Sequence, residues 1–391
     1  MTVKDRVAIV GAGCTKFGEN YEMTYEDMVI DAVYEACEDA SVEPSAIQAA
    51  WVGTSRYELI GQRGAATSIA DPLRLFGIPI TRVSNYCCTG MDAVRNAAMG
   101  ILSGLYEIVL AVGAEKMREV GSRESLIEGA HNAGHPFIRK GYTGPGLFAL
   151  LANRYFHEYG ITREHLAKVA VKNHYNGSLN PKAHFRRAVT EEMVLKAPMV
   201  AYPLGRLDCC PTTDGAAAVI LTRADMAALF RDDPVLIKGM ALNVQSEKNM
   251  FDQSFDFLGF PPTQIAAREA YRQAGIADPR KEIDVAEIHD CFTITEIIDY
   301  EDLGFCRRGE GGQFIWDGIS SLEGELPVNT SGGLKSCGHP IGATGVRMIH
   351  DIYKQIQGKA GPRQVKGAEL GLAHTLGGPG AIACVFILGG K

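Results

Sequence analysis

Apolar residues fall along this chain in two alternating rhythms. Short continuous runs at 6–10, 80–86 and 107–113 (EIVLAVG in the last) have the length and composition of strands covered on both faces. Between them lie stretches with helical spacing. Residues 24–39 put Met28, Val29, Ala32, Val33 and Ala36 on one face, and 91–105 forms a second helix. Strands alternating with helices predict an α/β architecture. From 115 to 206 the rhythm changes: glycines, histidines and basic residues mix with short helices at 146–158 and 162–176, as expected of an insertion. A buried strand at 214–222 ends it, and the charged stretch 231–234 reads as a linker. Strand and helix signals then resume at 235–240, 263–274, 284–288 and 342–357, with a final strand near 381–388. The expected division is 1–114 with 207–230 as one core half, 115–206 as an inserted loop domain, and 231–391 as the second half.

The second half echoes the first. Cys87-Cys-Thr-Gly90 is followed by Val94-Arg95, and His339-Pro-Ile-Gly342 by Val346-Arg347, with the same spacings and each at the start of a helix. This echo predicts that Cys87 and His339 occupy equivalent helix N-termini in two related halves.

A length of 391 residues agrees with two core units, since it exceeds what one hydrophobic core usually organises. The net charge of −7, without a block of like charge, speaks against nucleic-acid or membrane-surface binding. No apolar run is long enough to span a bilayer and no secretory leader precedes the first strand, so the expected location is the cytoplasm. Ten cysteines include no Cys-x-x-Cys pair, and the doublets Cys87-Cys88 and Cys209-Cys210 suit neither zinc nor easy bridging. They read as small buried residues plus one or two reactive thiols.

Four places carry candidate chemistry. Cys87 stands where a strand hands over to a helix, and the amides there favour a thiolate; the competing reading is a buried cysteine doublet, which suits Cys88. His339 sits in Gly332-Gly-Leu-Lys-Ser-Cys-Gly-His-Pro-Ile-Gly-Ala-Thr-Gly345, a glycine frame suited to close backbone approach, and can serve as acid/base or as a helix cap. His289, in Glu287-Ile-His-Asp-Cys-Phe292, follows a strand, where α/β active sites gather. His-Asp-Cys neighbours cannot all turn to one ion, so no metal is expected. Gly377-Gly-Pro-Gly380 is either an oxyanion-holding loop or a hairpin turn. Gly11-Ala-Gly13 and Gly18 imitate a dinucleotide fingerprint with the wrong spacing. Lys172, Arg186 and Arg187, within a basic stretch of the insertion, are candidates for gripping phosphates, or else part of a solvated face.

Taken together these motifs resemble the thiolase superfamily, specifically its sterol-carrier-protein-type and archaeal-type members, over nearly the whole chain. Cys87-Cys-Thr-Gly90 resembles the nucleophile turn, His289-Asp-Cys-Phe292 the His-Asp-Cys-Phe signature of this branch, and Gly338-His-Pro-x-Gly-Ala-Thr-Gly345 the histidine loop. His374-Thr-Leu-Gly-Gly-Pro-Gly380 stands where other thiolases carry a second catalytic cysteine. The resemblance implies the thiolase fold: duplicated five-stranded halves in α-β-α-β-α layers with an inserted loop domain that binds coenzyme A. It implies a homodimer or dimer of dimers, coenzyme A as a substrate, no tightly bound cofactor, and for this branch a small zinc-ribbon OB-fold partner. A loop at 304–326 with Phe305, Phe314, Ile315 and Trp316 is either tucked onto the core or waiting for such a partner. The implied activity is cleavage or formation of a β-ketoacyl-CoA through acyl-Cys87. His339 is the implied base, His289 the enolate donor, Cys291 the second acid/base (with Cys337 and His374 as substitutes), and the amides of Cys87 and Gly380 the oxyanion donors. A decarboxylating ketoacyl synthase, a retro-aldolase and a non-catalytic acyl-CoA or lipid binder are the alternatives.

Overall fold

The computed structural model describes residues 3–55, 66–120, 143–246, 250 and 252–391. Part of the expected insertion, 121–142, lies outside the described residues. Eleven strands occur among those described: β1 Val7–Cys14, β2 Ala49–Gly53, β3 Ile80–Val83, β4 Ile108–Glu115, β5 Met199–Ala201, β6 Leu204–Gly205, β7 Gly215–Arg223, β8 Val235–Val244, β9 Val285–Glu287, β10 Leu370–Gly377 and β11 Ile382–Gly389. All but β5 and β6 join one sheet in the order β3-β2-β4-β7-β1-β8-β11-β10-β9.

That order is one pattern used twice. In the first half β3, β2 and β4 are parallel neighbours, β4 pairs antiparallel with β7, and β7 with β1. In the second, β9 and β10 are parallel, β10 pairs antiparallel with β11, and β11 with β8. The position of β3 is held there by a single parallel bridge, Ala286 to Val328, so the second half has four ladder strands and a vestige of the fifth. The halves meet where β1 pairs with β8 over Ala8↔Leu236 and Ile9↔Val235.

Helices fill the remaining layers. Tyr25–Ala40 covers the outer side of the first half and Pro261–Ala274 that of the second, while Thr89–Leu102 and Ile341–Ile356 pack on each other between them. The Tyr25–Ala40 helix starts where the sequence places it. Thr24 accepts a hydrogen bond from the Asp27 amide at 3.0 Å, and Asp27 accepts one from the Thr24 amide at 2.8 Å; such a cap is worth about 1 kcal/mol. The fingerprint-like glycines have a packing role. A Cβ on Gly11 would lie 2.2 Å from the Ala36 carbonyl oxygen, and one on Gly13 2.2 Å from that of Ala32, so only glycine lets this helix lie on β1.

Several elements were not read from the sequence, among them β2, β10 and the helix Thr293–Asp302. The helix puts Ile294, Ile297 and Ile298 at helical spacing, yet it is buried on every side although it also carries Glu296, Asp299, Glu301 and Asp302. The 304–326 segment contains a helix, Gly311–Trp316. Phe305, Phe314 and Ile315 are buried, and only Trp316 is largely exposed, with Lys168 Nζ 5.1 Å from its ring. Among the described residues no helix is long and apolar enough to cross a membrane.

Candidate active site

The strand β3 ends in a turn that holds Tyr86 at φ +47°, a left-handed conformation costly for a non-glycine residue. Thr89 fixes this turn: its hydroxyl donates to the Tyr86 carbonyl at 2.6 Å and accepts from the Asn85 amide at 2.7 Å. Helix Thr89–Leu102 begins at once, so Cys87 sits just ahead of its N-terminus, where the helix dipole favours an anion. The two cysteines of the doublet separate cleanly. Cys88 is fully buried, its thiol donates to the Thr375 carbonyl at 3.3 Å, and burial pushes its pKa up to about 12. Cys87 is half-buried.

His339 comes from the equivalent place in the second half, and glycines bring the two together. A Cβ on Gly90 would lie 2.4 Å from the Gly342 carbonyl oxygen, and one on Gly345 2.4 Å from the Met91 amide nitrogen. Gly90 therefore serves helix contact rather than a turn. The Glu115 carboxylate, at the end of β4, accepts from the Gly342 amide at 2.7 Å and holds the second helix start in place. His339 Nε2 lies 3.2 Å from Cys87 Sγ. On the other side of the ring Nδ1 is 2.8 Å from Thr344 Oγ1, whose own proton goes to the Pro340 carbonyl at 2.9 Å. Thr344 is thus an acceptor for Nδ1–H, which leaves the Nε2 lone pair facing the thiol. Burial, reinforced by Arg347, lowers the His339 pKa to about 3, so the imidazole is neutral at physiological pH.

The loop after β9 supplies His289, whose ring stands edge-on to His339 with centroids 5.3 Å apart. It too is buried, and burial followed by the neighbouring His339 lowers its pKa well below the usual imidazole value. Cys291 is buried, and burial together with Cys210 and Cys87 keeps its thiol protonated. Asp290, between them, turns away from the site. Its carboxylate accepts from the amides of Leu334 and Lys335 at the start of the short helix Gly333–Cys337, and from Asn173 Nδ2 at 2.7 Å. Burial and then Glu296 raise its pKa to about 7. Asp290 therefore ties the His289 loop to the His339 loop. Gly333, at φ +61°, makes room for it: a Cβ there would lie 2.3 Å from Asp290 Oδ2.

Other expected residues fall differently. Gly380 (φ +77°) belongs to the hairpin joining β10 to β11. The first glycine of that turn, Gly377, touches the nucleophile turn, since a Cβ on it would be 3.3 Å from the Cys87 amide nitrogen. His374 bonds Thr263 of the outer helix at 3.0 Å, and the Cys337 thiol accepts from Asn180 at 3.7 Å, so both are engaged elsewhere. Lys172 does not face solvent, which corrects its assignment to phosphate. It is buried with its ammonium donating to Asn173 Oδ1 at 2.6 Å and the Val328 carbonyl at 2.7 Å, and paired with Glu296 at 2.8 Å. All three of its donors are engaged. Arg186 and Arg187 are exposed. Sequence reasoning missed Thr344, Glu115 and the buried group of Lys172, Asn173, Asp290 and Glu296. Only Thr344 left a signal, inside the glycine-framed histidine loop.

Three aromatic rings cluster next to the β10–β11 hairpin. Phe148, from helix Gly144–Tyr159, packs on Phe292 with centroids 4.7 Å apart and on Phe260 at 6.4 Å. Phe260 in turn faces Gly380, where a Cβ would meet its ring at 3.7 Å.

Residues 7–225 match the family model described as thiolase, N-terminal domain, and residues 244–390 the model described as thiolase C-terminal domain-like. An acetyl-CoA acetyltransferase of Methanothermobacter thermautotrophicus is 44% identical over 382 residues, 97% of this chain and 98% of that protein. Sterol carrier protein 2 of Oryctolagus cuniculus is 34% identical over 409 residues, covering 98% of this chain and 72% of the relative. A solved structure described as the Ltp2-ChsH2(DUF35) aldolase is 27% identical with a TM-score of 0.85, covering 100% of this chain and 99% of that one. With both halves matched and the cysteine of one facing the histidine of the other, the chain belongs to the thiolase family.

Proposed function

We propose that this protein is an acyl-CoA C-acyltransferase that makes or cleaves a β-ketoacyl-CoA through acyl-Cys87. The observation that carries the reading is the 3.2 Å approach of His339 Nε2 to Cys87 Sγ, with Nδ1 held by Thr344. In the cleavage direction Nε2 takes the thiol proton and the thiolate attacks the 3-keto carbon. The amides of Cys87 and Gly380 receive the oxyanion; one such donor is typically worth roughly a hundred- to a thousandfold in rate. The bond between the α- and β-carbons then breaks, leaving acyl-Cys87 and the enolate of an acyl-CoA. His289 holds the enolate oxygen, and the protonated Cys291 thiol delivers a proton to its α-carbon. The Cys291 thiolate left by that transfer takes the proton of a coenzyme A thiol, the thiol sulfur attacks acyl-Cys87 to form the second acyl-CoA, and the departing Cys87 thiolate recovers its proton from His339. Arg186 and Arg187, in the loop domain at 115–206, pair with the phosphates of coenzyme A.

The acyl group is small in this reading. A relative named acetyl-CoA acetyltransferase is 44% identical over 97% of this chain and 98% of its own length. A DUF35 protein stands beside the Ltp2 chain in the similar structure's description, and a companion of that kind is proposed here, on a homodimer in the cytoplasm. That description also reads aldolase; acyl transfer is favoured because Cys87 is within hydrogen-bond reach of its base.

Intact mass after mixing with acetyl-CoA tests the reading. One acetyl group is expected, mapped to Cys87 and lost in Cys87→Ala, together with thiolysis of acetoacetyl-CoA followed at its enolate absorbance. An adduct on another cysteine, or no adduct with no thiolysis, overturns it. Co-expression with a candidate zinc-ribbon protein followed by size exclusion tests the partner; a fully active chain that co-elutes with nothing refutes it.

A further inference from the structure

The sequence places His289, Asp290 and Cys291 side by side, and neighbours of that kind cannot share an ion. The fold instead brings together three residues far apart in sequence. One donor atom each from Cys87, His289 and His339 lies within 4.8 Å of the other two, and Cys87 Sγ is 3.2 Å from His339 Nε2. We infer that these three side chains form a binding site for a borderline-soft divalent cation, Zn2+ foremost, that competes with acylation of Cys87.

The donor set argues for this metal class. One thiolate and two imidazoles suit zinc, whereas magnesium and calcium require oxygen ligands. Asp290, the one carboxylate of that loop, is committed to the amides of Leu334 and Lys335. The geometry is close to what zinc needs. Bonds of about 2.3 Å to sulfur and about 2.0–2.1 Å to nitrogen put tetrahedral ligand atoms roughly 3.4–3.6 Å apart. The sulfur–nitrogen edge is already near that, and no edge exceeds it by more than about 1.3 Å. An outer shell exists as well. Nδ1–H of His339 is held by Thr344, the arrangement that orients a ligating histidine and fixes its tautomer. Three protein ligands leave the fourth position of a tetrahedral ion for water or an incoming thioester, and Cys87 is only half-buried.

The step balances without a redox partner. Zn2+ displaces the Cys87 thiol proton, which leaves to buffer, and a sulfur–zinc bond forms while two imidazole lone pairs complete the protein ligands. The metal then occupies the lone pairs that acylation uses, so metal and acyl group exclude each other on Cys87. Only this exclusion rests on the proposed transferase activity; the binding does not.

Metal-free, reduced protein titrated with Co2+ under argon tests the inference. One equivalent is expected to raise a thiolate-to-cobalt charge-transfer absorption in the near ultraviolet, bleached by Zn2+. Cys87→Ser should abolish that band and Cys88→Ser should keep it. His289→Ala, and His289→Gln as a check against misfolding, should weaken Zn2+ by at least about tenfold, since even an outer-shell partner is worth that much. Protein acetylated beforehand should bind no Co2+. A band that survives in Cys87→Ser, or Zn2+ affinity unchanged in both folded His289 variants, places the metal elsewhere and overturns the inference. The absence of a stoichiometric complex does the same. If the acetyl adduct fails to form while the cobalt complex does, the transferase reading falls and the metal site stands.

Discussion

Replacing Thr344 by valine removes one hydroxyl from the buried side of His339 and leaves the face toward Cys87 untouched. In the parent, Oγ1 accepts from Nδ1 at 2.8 Å and is itself tied to the Pro340 carbonyl at 2.9 Å, so the ring can carry its proton only on Nδ1 without loss. With valine, Nδ1–H faces an apolar wall. A buried donor without a partner costs about 1–3 kcal/mol, and the imidazole escapes by moving the proton to Nε2. That tautomer cannot accept from Cys87 Sγ. Since about 1.4 kcal/mol is a factor of ten in rate, acylation should fall by about five- to 150-fold. Thr344→Ser keeps the hydroxyl and should stay within about threefold by the same argument. Single-turnover acetylation by acetyl-CoA, quenched and read by intact mass, isolates this step from thiolysis, and thermal unfolding monitors the fold. Valine acetylating as fast as the parent, with both variants folded, would refute the assignment of Thr344 as the residue that sets the His339 tautomer.

Gly333→Ala should cost about 3 kcal/mol in urea unfolding, from a side chain in the left-handed region plus withdrawal of Asp290 from two amides; stability equal to the parent's would show that the Asp290 tie is dispensable. Arg186 and Arg187 to Ala together should raise the KM for coenzyme A with kcat nearly unchanged, the pattern of lost uniform binding. Lys172→Met should act otherwise, lowering kcat and melting temperature because Glu296 is left buried and unpaired, a loss of about 3–5 kcal/mol; a pure KM effect would return Lys172 to the phosphate site. The pH profile of acylation should lack a limb at the ordinary imidazole value. A pKa lowered to about 3 keeps His339 in its base form as pH falls through 6.5, so the rate should hold from pH 8 to about 5. An acidic limb centred near 6.5 in stopped-flow acetylation would contradict the buried, neutral histidine.

The α/β alternation, the second core half and the Cys87–His339 pair were legible because each left a local mark: apolar runs of strand length, helical spacing, glycines at fixed offsets. The Asp290 network left none. Asn173, Lys172, Glu296 and Asp290 come from the inserted domain, the helix after β9 and the loop before it, and each reads as surface until the fold buries it. Lys172 shows how this misleads, since a lysine in a basic stretch implies solvent while its ammonium is engaged by three internal acceptors. β10 escaped for the opposite reason. Its residues LGLAHTLG are poor in β-branched side chains, and parallel pairing with β9 together with antiparallel pairing with β11 supplies what local propensity does not.

Duplication explains why two residues 252 positions apart meet at 3.2 Å. Two halves with the same strand order each send a helix inward from the edge of the parallel strands, and each helix starts with the same Gly three residues after its functional side chain. Where the helices cross, Gly90 lies against Gly342 and Gly345 against Met91. The glycine spacing shared by the two motifs is therefore the contact that places the thiol beside its base. The chemistry around that contact has diverged. In the first half Thr89 braces the turn, and Arg95 stays near the surface, paired with Asp92 at 3.3 Å. In the second half the brace has moved to Thr344, on the far side of the imidazole. Arg347 is buried there between Glu287 at 2.6 Å and Asp351 at 3.1 Å. A symmetric backbone thus carries an asymmetric pair. One helix start, open to solvent, presents a nucleophile; the other, buried beside Arg347, keeps an imidazole neutral. Exchanging the two residue types would fail on this account, because a histidine at 87 would lack both the burial that keeps His339 neutral and the Thr344 acceptor that leaves its Nε2 lone pair facing the thiol.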